Sequence, residues 1–269
     1  MIRKQHPYAT IFVYLLLFAG TIFLSSMSLK RSTAFKTSGF AIDTSITKDS
    51  IRPALDSSFA KTYLALGDSY TIGQSVPVKE RFPFRTVEIL SNAGYFIKNA
   101  QIVATSGWTT TDLMEAINEK KITQTFDMVS LLIGVNDQYK RKTLAEYRKE
   151  FTALLKKSIR FAGGRPQRVF VLSIPDYSVT PFATHSDRNK IAREIDLFNK
   201  ENKRISLAFK VNYLYVTAET RKAAYDRTLI AYDGLHFSGK EHAIWANMLA
   251  PMVSKVLKSP TPDQTASSK

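Results

Sequence analysis

Four short segments of this 269-residue chain carry groups able to move a proton or hold a developing charge. Gly67-Asp68-Ser69-Tyr70 offers a hydroxyl, a weak nucleophile until a base removes its proton. Asp233-Gly234-Leu235-His236 offers that base. An Asp and a His three residues apart on one loop let the carboxylate reach the imidazole, fix its tautomer and stabilise the imidazolium. Ser106-Gly107-Trp108 offers a backbone N–H that a substrate can approach closely, and Gly134-Val135-Asn136-Asp137 offers a side-chain amide. Both are donors suited to an oxyanion. Taken singly, each segment fits a plainer role as well or better: an N-cap or turn serine, a turn glycine, an Asx turn, a helix-entry histidine. Taken together they set out a nucleophile, a base, an orienting acid and two oxyanion donors, a set that coincidence explains poorly.

Such a set works only if the chain brings it to one place. Apolar runs at 63–66, 102–104, 128–133, 169–174 and 213–216 read as strands buried on both faces, as in a parallel sheet. Helical patterns fill the intervals at about 82–93, 110–120, 143–163, 187–209 and 238–257. The third opens with the capping box Thr143-x-x-Glu146 and stops at Gly163-Gly164, and the last opens with a second box, Ser238-x-x-Glu241. Alternation of this kind implies a doubly wound α/β sheet with right-handed crossovers. Ligands of such sheets sit outside the carboxyl ends of the strands, where the four segments fall.

Other chemistries find less support. Cysteine is absent, which excludes a disulfide framework, a thiolate zinc site and a cysteine nucleophile. The four histidines, His6, His185, His236 and His242, are too scattered for a metal cluster, so no metal is expected. Of the two rival bases, His242 falls one turn into the last helix and reads as a surface residue. His185 lies in a long loop, 175–187, which reads as a lid bordering the site. Asp68 and Asp137 read as loop-holding carboxylates and not as catalytic ones. With Thr71 after Tyr70, the Gly-x-Ser-x-Gly elbow is missing. No G-x-G-x-x-G or phosphate-cradling loop occurs, so no dinucleotide or flavin cofactor is expected.

Hydrophobic residues at 44% and charged residues at 23% describe an ordinary globular chain. The net charge of +15 is spread along the sequence, and groups such as Lys140-Arg141-Lys142 and Lys156-Lys157 read as turn or helix-surface charge. Nucleic acid is therefore not an expected partner, whereas an anionic membrane surface is. Arg3 and Lys4 precede an uncharged stretch to Leu29, almost purely apolar over 11–24. Residues 1–29 thus read as an export signal or anchor, with a retained anchor favoured over cleavage. The expected organisation is that segment, a Ser/Thr-rich linker at 30–60, one domain at 61–258 and a polar tail at 259–269. The domain is expected outside the cytoplasm, membrane-anchored or, after cleavage, periplasmic or secreted. The oligomeric state stays open.

The four segments resemble the SGNH hydrolases, the GDSL type, whose four named residues would here be Ser69, Gly107, Asn136 and His236. The resemblance extends over about 62–256, with Tyr70 in place of the leucine of the GDSL name. It implies a flavodoxin-like three-layer α/β/α sandwich around a five-stranded parallel sheet. It also implies an esterase or lipase activity needing no cofactor. Ser69, Asp233 and His236 would form the triad, and the N–H groups of Ser69 and Gly107 with the Asn136 amide would hold the oxyanion. The wording of YLALGDSYTIGQSV and IPDYSVTPFA is similar to bacterial lysophospholipase-like members. Tyr70, Trp108 and Tyr139 fall in loops at the expected active edge and are candidates to contact substrate. The expected substrate is a short- to medium-chain acyl ester, with lysophospholipid and acetylated glycan both within reach. An acyltransferase using the same residues, and a catalytically idle membrane-tethered binding domain, are the alternatives.

Overall fold

The computed structural model describes residues 60–258. The expected signal or anchor at 1–29, the linker up to residue 59 and the tail at 259–269 lie outside the described residues. Five strands form one sheet: β1 (Tyr63–Gly67), β2 (Gln101–Ala104), β3 (Met128–Leu132), β4 (Val169–Leu172) and β5 (Asn212–Leu214). Every pairing is parallel and the order is β2-β1-β3-β4-β5. The three inner strands, YLALG, MVSLL and VFVL, are buried at every position, whereas the edge strands β2 and β5 begin partly exposed. A strand apolar on both sides must be covered on both faces, and helices supply the cover.

Those helices are α1 (Ser69–Ile72), α2 (Phe82–Asn92), α3 (Thr110–Glu119), α4 (Val135–Tyr139), α5 (Leu144–Phe161), α6 (Arg188–Ala208), α7 (Thr217–Arg221) and α8 (Gly239–Lys258). α2 packs on α8, and α5 packs on both α3 and α6, giving an α/β/α sandwich of three layers. Trp245 of α8 is fully buried and gathers the rings of Tyr70, Phe82, Phe237 and His242 around it. In another part of the core, Tyr147 of α5 meets Phe151 and Phe198.

The Thr143–Glu146 box forms as expected and caps α5. The Ser238–Glu241 box does not form. Ser238 Oγ donates instead to the Thr228 carbonyl at 2.7 Å, and Glu241 is drawn inward, where its Oε1 accepts the Trp245 indole N–H at 2.7 Å. Burial pushes the Glu241 carboxyl up to about 7. His242 is likewise not at the surface: it is 1% exposed, and its Nδ1 accepts the Phe82 N–H at 3.0 Å, at the first residue of α2. The loop 175–187 is folded into two 3-10 turns, Tyr177–Val179 and Pro181–His185. Among the described residues no helix is long and apolar enough to cross a membrane.

Candidate active site

All four segments emerge at the carboxyl edge of the sheet. β1 ends at Gly67, and Asp68 caps α1 by accepting the Tyr70 N–H at 3.0 Å. This makes Ser69 the first residue of a helix, where the backbone N–H has no intrahelical acceptor. Asp68 is fully buried and its Oδ2 has no partner among the described residues. Burial pushes its carboxyl up to about 8; the nearby Asp137 adds to the shift and the Tyr70 hydrogen bond opposes it.

The two other oxyanion candidates leave β2 and β3 through glycines in left-handed backbone. Gly107 (φ 83) turns beside open space, and Gly134 (φ 128) turns where a Cβ would strike Tyr147 and Ile174. The second turn admits only glycine, and it sets Asn136 in the first turn of α4. Asn136 Nδ2 donates one hydrogen to the Trp108 carbonyl at 2.9 Å and keeps its second hydrogen for another acceptor. Its neighbour Asp137, fully buried, accepts from the Thr110 N–H at 3.0 Å and Oγ1 at 2.5 Å, and Lys142 stands 3.3 Å away. That carboxylate ties the start of α4 to the start of α3, so the Asn136 and Gly107 turns hold a fixed relation.

His236 Nδ1 lies 2.7 Å from Asp233 Oδ2. Asp233 also accepts the Leu235 and His236 N–H groups, both at 2.9 Å, and the Ser75 hydroxyl at 2.6 Å. Burial alone would raise its carboxyl; these bonds outweigh burial and hold it down to about 2. An ionised carboxylate only accepts, so Nδ1 carries the hydrogen of this contact and Nε2 is the ring atom left to exchange a proton. Ser75 was not anticipated. It sits in the turn after α1, 158 residues from its partner, and no spacing rule connects the two.

Ser69, Gly107, Asn136 and His236 line one cavity of about 200 Å³. Tyr139, Tyr177 and Phe182 form an aromatic group on its wall, with ring centroids 6.1–6.3 Å apart. The loop 175–187 therefore does border the site, and the Phe182 N–H donates to the Gly234 carbonyl at 2.9 Å, joining it to the histidine loop. Tyr70 reaches the cavity but is only 2% exposed, wedged between His236, Phe237 and Trp245, so it supports the site from beneath. The Trp108 side chain is not among the lining groups. Its ring packs on the core, and Trp108 meets the site through its carbonyl. The rival bases are elsewhere: His185 is exposed and off the cavity, and burial holds the His242 ring down to about 3. Among the described residues no group of three His, Asp or Glu could hold a metal ion.

The GDSL-like lipase/acylhydrolase family model matches residues 65–244. No curated protein matches the chain in sequence. Among solved structures, TesA is similar at 15% identity and a TM-score of 0.58, over 73% of this chain and 99% of that one. The psychrotrophic esterase EstA from Pseudoalteromonas sp. is similar at 17% and 0.54, over 74% and 100%. The acetylxylan esterase Axe2 from Geobacillus stearothermophilus is similar at 20% and 0.55, over 74% and 95%. At these identities the likeness is one of fold.

Proposed function

The chain belongs to the GDSL-like lipase/acylhydrolase family, and from that premise we propose that it is a serine esterase acting on short-chain acyl esters. Ser69 Oγ attacks the ester carbonyl while His236 Nε2 takes its proton, and Asp233 holds the ring and offsets the charge it gains. The carbonyl oxygen, now an oxyanion, accepts from the Ser69 and Gly107 N–H groups and from the free hydrogen of the Asn136 amide. His236 returns the proton to the departing alcohol as the C–O bond breaks, leaving an acyl-serine. Water, deprotonated by the same histidine, then releases the acid and restores the hydroxyl.

The observation that carries this reading is the 2.7 Å contact of His236 with an ionised Asp233 on the cavity shared with Ser69, Gly107 and Asn136. The cavity of about 200 Å³ favours short acyl groups, since pockets for drug-sized ligands run to ~300–1,000 Å³. The acetylxylan esterase named for Axe2 also removes a short acyl group, which agrees in chain length. The apolar run at 11–24 behind Arg3 and Lys4 supports a membrane-anchored position outside the cytoplasm.

The test is hydrolysis of p-nitrophenyl acetate, butyrate, octanoate and palmitate by the full chain and by Ser69→Ala. The expected result is turnover strongest for acetate or butyrate, reduced by about 10⁴-fold or more in the variant. A folded protein without turnover, or a variant as active as its parent, would overturn the reading.

A further inference from the structure

The active cavity shares the rings of Tyr139 and Tyr177 with a second and larger cavity, of about 570 Å³. Its lining mixes apolar groups, Leu144, Ile191 and Phe198, with three cations, Arg141, Lys142 and Lys190. Two of those cations are already engaged. Lys142 pairs with Glu150 at 2.6 Å and with Asp137 at 3.3 Å, and Lys190 stands 3.8 Å from Glu194. The carboxylates of this cavity are engaged as well: Glu194 accepts from Gln138 Nε2 at 2.7 Å, and Asp187 accepts the Lys190 N–H at 2.9 Å. The exposed guanidinium of Arg141 has no ion pair or hydrogen bond among the described residues.

The backbone under that guanidinium closes α4. Arg141 occupies the left-handed region (φ 61), which glycine adopts without steric cost and arginine does not. Its N–H donates to the Gln138 carbonyl and that of Lys142 to the Asp137 carbonyl, both at 2.9 Å, so the turn continues directly from the one that presents Asn136. Lys121 and Lys210 take the same backbone just after α3 and α6, so the conformation closes α4 and fixes the point from which the guanidinium extends.

Resting on the esterase reading above, we propose that the second cavity is a specificity subsite for an anionic group, a phosphate or carboxylate, at the far end of the ester, with Arg141 as its recognition cation. A guanidinium forks onto the paired oxygens of either group, and an unpaired one gives up no internal partner to do so. The apolar lining accommodates the carbon chain that separates the anion from the scissile bond. An exposed cation of this kind is screened by salt, so the preference weakens as ionic strength rises.

The experiment compares kcat/KM of the full chain in two matched series at low salt. On the acyl side, mono-p-nitrophenyl glutarate and adipate are set against neutral p-nitrophenyl butyrate and hexanoate. On the alcohol side, butyrylglycerol 3-phosphate is set against butyrylglycerol. The expected result is an anionic-to-neutral ratio of about ten or more in one series, which also identifies the side that carries the anion. Arg141→Gln brings that ratio to near one, Arg141→Lys retains part of it, and high salt shrinks it. Arg141→Gly removes the cation while suiting the left-handed backbone, and retained turnover of the neutral esters there separates loss of the ratio from misfolding. Neutral esters turned over as well as anionic ones in both series, or a ratio that survives Arg141→Gln and Arg141→Gly, would overturn the subsite alone. Absence of turnover on every ester overturns the esterase reading beneath it.

Discussion

Of the four hydrogen bonds that converge on Asp233, the one from Ser75 is made by a side chain in left-handed backbone (φ 63). Ser75→Gly separates two effects that usually travel together. The glycine relieves the backbone, which offsets most of the stability lost with the hydroxyl, while Asp233 keeps three of its bonds and stays ionised. The expected outcome is a thermal midpoint within a few degrees of the parent. With it goes a kcat lower by about fivefold, the value of roughly 1 kcal/mol for one hydrogen bond, at unchanged KM. Steady-state kinetics beside a melting curve check it, and an unchanged kcat would make Ser75 a turn residue only. The candidates legible in the sequence, Ser69, Gly107, Asn136, Asp233 and His236, all lie within a few residues of a strand end or helix start. Their meaning is carried by local spacing. Ser75 and the Trp108 carbonyl act across the gap between loops, and nothing local to either residue says which turn it will face.

Asp68 shows what a single cap does for a helix of four residues. Its carboxyl is pushed up to about 8 in the folded chain, against about 3.9 when unfolded. The folded state therefore binds the proton more tightly, and the stability this group contributes is complete below about pH 4 and drains away as the pH rises towards 8. Asp68→Asn carries no charge at any pH and can still accept the Tyr70 N–H. Its stability relative to the parent should thus increase between pH 5 and pH 8, by on the order of 2 kcal/mol, in urea unfolding. A difference that stays flat with pH would mean the Asp68 charge is already solvated. Among elements, the five strands are legible as short uninterrupted apolar runs, and the five long helices because each repeats its apolar pattern over several turns. α1, α4 and α7, with four or five residues each, span little more than one turn, too few residues to show a period. The Ser238–Glu241 spacing met the capping rule, yet the indole of Trp245 offers Glu241 a donor inside the core and takes it away from the cap. Tertiary packing decides such contests, and a four-residue window does not contain it.

At the scale of the molecule, the net charge of +15 and the apolar run at 11–24 make a joint prediction. The full chain should sediment with membranes and be accessible to protease from outside the cell. A chain beginning at Lys61, where the expected domain starts, should stay in the compartment where it is made with unchanged kcat/KM. Recovery of the full chain in the cytosolic fraction would contradict the anchor. The strand order has a consequence of another kind, felt while the chain is being made. β1 is the first of these five strands to be synthesised but it lies inside the sheet, between β2 and β3. Its neighbours are encoded at residues 101–104 and 128–132, so at ~5–20 residues per second YLALG waits roughly 2–7 s with both edges unpaired and roughly 3–13 s until the second can be covered. An apolar strand open on two sides is a template for other chains. Yield in a cell should therefore depend on how quickly translation delivers residue 132, and on what shields β1 until then.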